Sequence, residues 1–148
     1  MSNLTEASRA LVVERVFPHP PQKLWRALTQ PHLIAEWLMN NDFAPRAGHA
    51  FKFRADYLPN GALDCEVLAV EPNKVLSYTW GSTSDTAAFN VTSVVTWTLT
   101  PTNTGTHLRM EQSGFRQDQP QAYQGAKYGW PQFLNKLEQV VAREEKPA

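Results

Sequence analysis

Between Gln121 and Arg143 the chain reads QAYQGAKYGWPQFLNKLEQVVAR, and this stretch constrains the fold more than any other. Trp130, Phe133, Leu134, Leu137, Val140 and Val141 recur at steps of three and four, the apolar stripe of an amphipathic helix. Lys127, Gln132, Asn135, Lys136, Glu138, Gln139 and Arg143 fall mostly on the opposite face. Pro131 interrupts the pattern. An interior proline loses a backbone bond and clashes one turn back, at a cost of roughly 3 kcal/mol. The spacing therefore predicts either a kink there, or a first segment ending near Tyr128 and a main helix starting at Trp130.

Most of the preceding chain reads as strand, and a sheet needs an apolar cover for its inner face. Ala10–Phe17 is β-branched and apolar enough for a first strand, after a polar Met1–Arg9 that should fray. Pro18, Pro20 and Pro21 stop it, and proline fits the first turn of a helix. Two short helices are predicted: Pro21–Thr29, with Leu24, Trp25 and Leu28 on one face, and Pro31 to Glu36 or slightly beyond. Asn40–Ala47 carries turn residues and is expected to be loop.

Gly48–Tyr57 alternates, with Phe51, Phe53, Ala55 and Tyr57 on the inner face. Pro59-Asn60-Gly61 is a hairpin signal. Its partner strand, Ala62–Glu71, turns Cys65 and Val67 inward. Val70 falls out of phase, which predicts a bulge near Leu68. Val75–Gly81 points Leu76, Tyr78 and Trp80 one way. After the small, polar Ser82–Asn90 loop, Val91–Thr100 is the strongest strand signal, with Val95, Trp97 and Leu99 inward. Thr102–Gly105 turns the chain, and Thr106–Gln112 pairs back with Leu108, Met110 and Gln112 in the inward phase. Ser113–Pro120 then leads into the final helix. The expected class is α+β, a single domain over 1–148 with its core in 10–143, built on about six antiparallel strands.

Four local patterns make the chain resemble the START-like (SRPBCC) superfamily, in the branch related to the C-terminal domain of the activator of Hsp90 ATPase. They are Phe17 followed by PPQKLWRALTQPHLIAEWL, then Pro72-Asn73-Lys74-Val75-Leu76 with Tyr78 and Trp80, then Val95 through Gly105-Thr106-His107-Leu108 to Ser113-Gly114-Phe115, and finally Gly129-Trp130 with Leu137 downstream. They span roughly residues 10 to 142. The resemblance implies a helix-grip: a curved antiparallel sheet wrapped on a long C-terminal helix, with a cavity between them.

The chemistry legible in the residues is sparse. Lys plus Arg equals Asp plus Glu at 14 each, and no basic block argues for nucleic acid. One cysteine, Cys65, rules out an internal disulfide framework, and mid-strand it reads as a buried structural thiol. With no apolar leader, the cytoplasm is the default location, and no run reaches membrane-spanning length. The Asn90-Val91-Thr92 sequon has no weight without a secretory signal. His19, His32, His49 and His107 show no metal-ligand spacing, so neither metal nor cofactor is expected. Asp56, Asp64, Glu66, His107 and Glu111 alternate outward. Asp42 and His32 lie near one lip and could reach inside as an acid or base.

Five Trp and seven Phe in so small a chain either fill a bulky core or line an apolar cavity of about 300–1,000 Å³. The candidate ligand-binding set is Trp37, Phe53, Tyr57, Tyr78, Trp80, Trp97, Met110, Gln112, Trp130 and Phe133. Tyr57, Tyr78 and Gln112 could orient a ligand, or could bond backbone and buried water. Closure is assigned to the Ser82–Asn90 loop and the Pro31 helix. The expected function is binding of a small apolar ligand, lipid-like or aromatic. The resemblance also implies two alternatives. One is a partnership with an Hsp90-type chaperone, ranked lower because no counterpart of the co-chaperone's N-terminal domain is seen. The other is a cyclase- or hydrolase-like enzyme, which would need an ionisable group inside the cavity.

Overall fold

A computed structural model describes residues 8–58, 61–81, 93–116 and 120–143. Strand β1 (Ser8–Phe17) leads into helices α1 (Pro21–Thr29) and α2 (Pro31–Trp37). Each helix begins on its proline, where the missing N–H costs no intrahelical bond. Strands β2 (Asn40–Asn41), β3 (Ala50–Arg54), β4 (Ala62–Glu71), β5 (Val75–Trp80), β6 (Ser93–Pro101) and β7 (Thr106–Arg116) follow, and α3 (Pro120–Arg143) closes the chain. The seven strands form one antiparallel sheet in the order β1-β7-β6-β5-β4-β3-β2. This is the helix-grip arrangement. Among the described residues no helix is long and apolar enough to cross a membrane.

The inward alternation holds where β-branched and aromatic residues are densest. Val95, Trp97 and Leu99 on β6, Leu76 and Tyr78 on β5, and Leu108, Met110 and Gln112 on β7 are all buried. Cys65 and Val67 are buried on β4, and the register slips between Val67 and Ala69, the bulge that the phase of Val70 requires. Leu134, Leu137, Val140 and Val141 of α3 are buried beneath the sheet.

Five expectations are corrected. The sheet has seven strands, because Asn40–Asn41 pairs with Arg54 and Phe53. Strand β3 ends at Arg54: Leu58 N–H donates to Ala55 O at 3.1 Å, so the chain is already turning at Tyr57. Strand β1 starts at Ser8, because it pairs with the far end of β7. Strand β7 runs on to Arg116, because Gly114 is left over between the pairs Arg9–Phe115 and Ala10–Ser113. Its φ of 99° makes this a bulge where a loop was expected. Finally, α3 runs through Pro131 as one helix, so the alternative of a break near Tyr128 does not occur. Lys127, whose carbonyl loses its donor, lies on the exposed face. Arg15 of β1 braces this turn, donating to Asn135 Oδ1 at 3.0 Å, Glu138 Oε2 at 2.9 Å and Pro131 O at 3.3 Å.

Candidate functional site

Alternation on β3, β5 and β6 sends every second ring toward α3, and the rings meet there. Phe53 lies 5.2 Å from Trp80, Trp80 5.2 Å from Trp130, and Trp130 5.7 Å from Trp97 (centroid distances). Trp97 continues to Trp37 at 5.6 Å, edge to face. Trp130 also meets Phe133 at 5.6 Å, one helical turn along α3. On the other side Tyr78 stands among Phe43, Phe51 and Phe53. Nearly all these contacts are tilted or edge-to-face, the geometry that aromatic quadrupoles favour.

Exposure grades along this set. Trp97, Met110, Trp37, Phe53, Trp130 and Tyr78 are buried, whereas Trp80 and Phe133 are half-buried. Aromatic surface therefore runs from the interior at Trp97 outward to Trp80 and Phe133.

The polar atoms among the rings form short relays. Trp130 Nε1–H donates to Gln112 Oε1 at 2.7 Å, and Gln112 Nε2 donates to Ser93 Oγ at 2.8 Å. The Ser93 hydroxyl donates to Trp80 O at 3.2 Å. Because indole can only donate, the Trp130 contact fixes which end of the Gln112 amide is oxygen. Separately, Trp97 Nε1–H donates to Tyr78 Oη at 3.0 Å, and Trp37 Nε1–H donates to Ala27 O at 2.9 Å. Replacing Gln112 with Leu should leave Trp130 Nε1–H without its acceptor and Ser93 Oγ without the donor from Gln112. The expected cost is about 1–3 kcal/mol, read as a lower denaturant midpoint at unchanged m-value.

Two titratable groups face this interior. Burial holds the Tyr78 hydroxyl well above its ordinary pKa. Burial also pushes the Cys65 thiol up to about 12, opposed in part by a hydrogen bond from the Gly81 backbone. Both are neutral at physiological pH. A thiol whose pKa is higher folded than unfolded keeps its proton longer in the folded state. Its contribution to stability is therefore lost as pH rises from the unfolded value near 9 toward 12. A Cys65→Ala variant should show a shallower fall in stability over that alkaline window. In the native wild type, Cys65 should resist a chromogenic disulfide reagent at pH 8 and react once urea unfolds the chain.

Of the ten expected site residues, nine converge on this interior. Tyr57 does not: it is 68% exposed, because β3 ends before it, and Leu58 packs inward instead. Asp42 and His32 do not reach inside either. Both are exposed, and the Asp42 carboxylate accepts the Lys52 backbone N–H at 2.7 Å. The Ser82–Asn90 loop lies outside the described residues. Two members were not foreseen. Phe43 comes from a loop without periodicity, seated by its N–H on Asn41 Oδ1 at 3.1 Å. Ser93 sits two residues before Val95, so the strand alternation could have found it.

The sequence matches the family model described as Activator of Hsp90 ATPase homolog 1-like protein over residues 18–142. The chain belongs to this family. Among solved structures it is similar to protein MLL2253 from Mesorhizobium loti, with 67% identity and a TM-score of 0.88 over 93% of this chain and 100% of that one. The family fold is shared with CalU16 from Micromonospora echinospora, with 21% identity and a TM-score of 0.72 over 93% of this chain and 78% of that one. It is also shared with DynU16, a protein in the dynemicin biosynthetic locus, with 24% identity and a TM-score of 0.75 over 91% of this chain and 48% of that one. The search of curated proteins found no match.

Proposed function

We propose that the protein binds a small apolar, aromatic molecule between the inner face of its sheet and α3. The observation that carries this reading is the outward run of ring surface from buried Trp97 and Trp130 to half-buried Trp80 and Phe133. Aromatic rings left partly open beside a neutral, largely apolar interior suit a flat, uncharged guest. The occurrence of the fold in a protein of a biosynthetic locus fits a role in handling small molecules. A chaperone-docking role, the other reading suggested by the family, draws no support from rings that face inward.

In this reading Trp130 is the anchor and Phe133 the rim. A titration with fluorene, a flat three-ring hydrocarbon, should give saturable quenching of tryptophan fluorescence. Phe133→Ala should weaken binding by about tenfold, the worth of one aromatic pair. A wild-type protein that neither quenches saturably nor gains thermal stability with fluorene or its ketone, fluorenone, would overturn the reading.

A further inference from the structure

The hydrogen-bond inventory of the site is lopsided. Tyr78 Oη accepts from Trp97 Nε1, yet its own O–H proton meets no acceptor among the described residues. Gln112 uses its oxygen for Trp130 and one amide hydrogen for Ser93; its second amide hydrogen meets no acceptor among the described residues. Both side chains are almost fully buried, at 3% and 2% exposure. By contrast, the buried hydroxyls of Thr29, Ser93 and Thr106 each donate to a backbone carbonyl. Buried donors left without acceptors are rare in folded proteins and call for a physical reason.

The sheet register places these two donors together. Tyr78 of β5 pairs with Val95 of β6, and Val95 pairs with Gln112 of β7. All three are buried, so they form one inward row across adjacent strands. Strands lie about 4.8 Å apart, so the two donors flank Val95 across roughly 10 Å of sheet. Val95 is the small member of the row, and the Trp130 indole of α3 is bonded to its neighbour Gln112. A third donor, Trp80 Nε1–H, also lacks a partner among the described residues, and its half-buried ring lies beside Trp130. The polar handles around the rings are thus spare hydrogens, with no carboxylate or imidazole among the described residues to receive one.

We infer that the site selects flat apolar molecules bearing a carbonyl-type acceptor oxygen, which accepts a hydrogen bond from the Tyr78 hydroxyl. This rests on the ligand-binding reading above and deepens it. A hydrocarbon of the same shape leaves the donors orphaned, whereas a carbonyl satisfies one of them inside a water-poor interior, where such bonds are strongest.

The test compares fluorene with fluorenone, which keeps the ring skeleton and adds one carbonyl. Partitioning from water alone favours the hydrocarbon, so a preference for the ketone must come from the site. Wild-type protein should bind fluorenone about tenfold more tightly than fluorene. Tyr78→Phe should reduce that ratio to about one. The infrared carbonyl stretch of bound fluorenone gives a readout that needs no variant: it should lie below its position in hexane. Equal binding of the two probes by wild type, an unshifted carbonyl stretch, or a ratio untouched by Tyr78→Phe overturns the inference and leaves the ligand-binding reading standing. Failure of both probes to bind overturns both.

Discussion

Trp130→Ala is expected to cost about 3–5 kcal/mol of folding stability and to abolish the quenching response to flat aromatic ligands. Trp130 is 2% exposed and touches the rings of Trp80, Trp97 and Phe133. Truncation removes the largest side chain on the sheet-facing stripe of α3 and opens a cavity that three rings on three different elements cannot close together. It also leaves Gln112 Oε1 without its donor. Trp130→Phe separates the two contributions. It keeps a six-membered ring but loses the N–H and the rest of the pyrrole ring, so it should cost less than Trp130→Ala and preserve much of the ligand response. Urea denaturation followed by far-ultraviolet circular dichroism measures the stability of both. If Trp130→Ala loses stability but binds ligand as wild type does, Trp130 is a structural clamp and the anchor role assigned to it is wrong.

The second large effect is expected at Gly105, in the turn between β6 and β7. A Cβ there would stand 1.9 Å from the Phe17 carbonyl oxygen and 2.9 Å from His19 N. Both obstacles are backbone, so no side-chain rotation relieves them. This close approach is what docks the β6–β7 turn against the junction of β1 and α1. Next to it, Thr106 pairs with Phe17, and Thr106 Oγ1 donates to His19 O at 2.7 Å. Gly105→Ala must therefore push the turn off that junction. The expected loss is at or above the upper end of the roughly 1–3 kcal/mol typical of overpacking, with a lower denaturant midpoint and loss of amide protection along β1. An alanine variant as stable as wild type would mean that the turn and the junction part without cost.

Much of this arrangement was legible in the residues. Alternation on β5, β6 and β7 placed Tyr78, Trp97, Met110 and Gln112 inward because a half-buried strand allows only two faces. The slip near Leu68 was legible because Val70 broke that alternation. Tyr57 was misplaced for a related reason: its phase was correct, but the strand ended at Arg54, and phase does not reveal where pairing stops. Gly114 read as loop because a glycine does not distinguish a bulge from a turn; only pairing with β1 shows which it is. Phe43 carried no signal, since a loop residue gains its place from contacts distant in sequence, here Phe51 at 5.2 Å and Tyr78. The choice between a continuous helix and a break at Pro131 stayed open for the same reason. The brace from Arg15 comes from the other end of the chain.

The most direct measurement is a nitrogen–proton correlation spectrum of the five tryptophan indoles during a titration with fluorenone. Each indole N–H gives its own signal, and the indoles differ in position. Half-buried Trp80 and buried Trp130 lie ring to ring in the site, whereas Trp25, on α1, has no ring contact with them among the described residues. Saturable shifts of the Trp80 and Trp130 signals, with Trp25 unmoved, are the predicted result. Shifts confined to Trp25, or none at all at saturating probe, would contradict a ligand site between the sheet and α3.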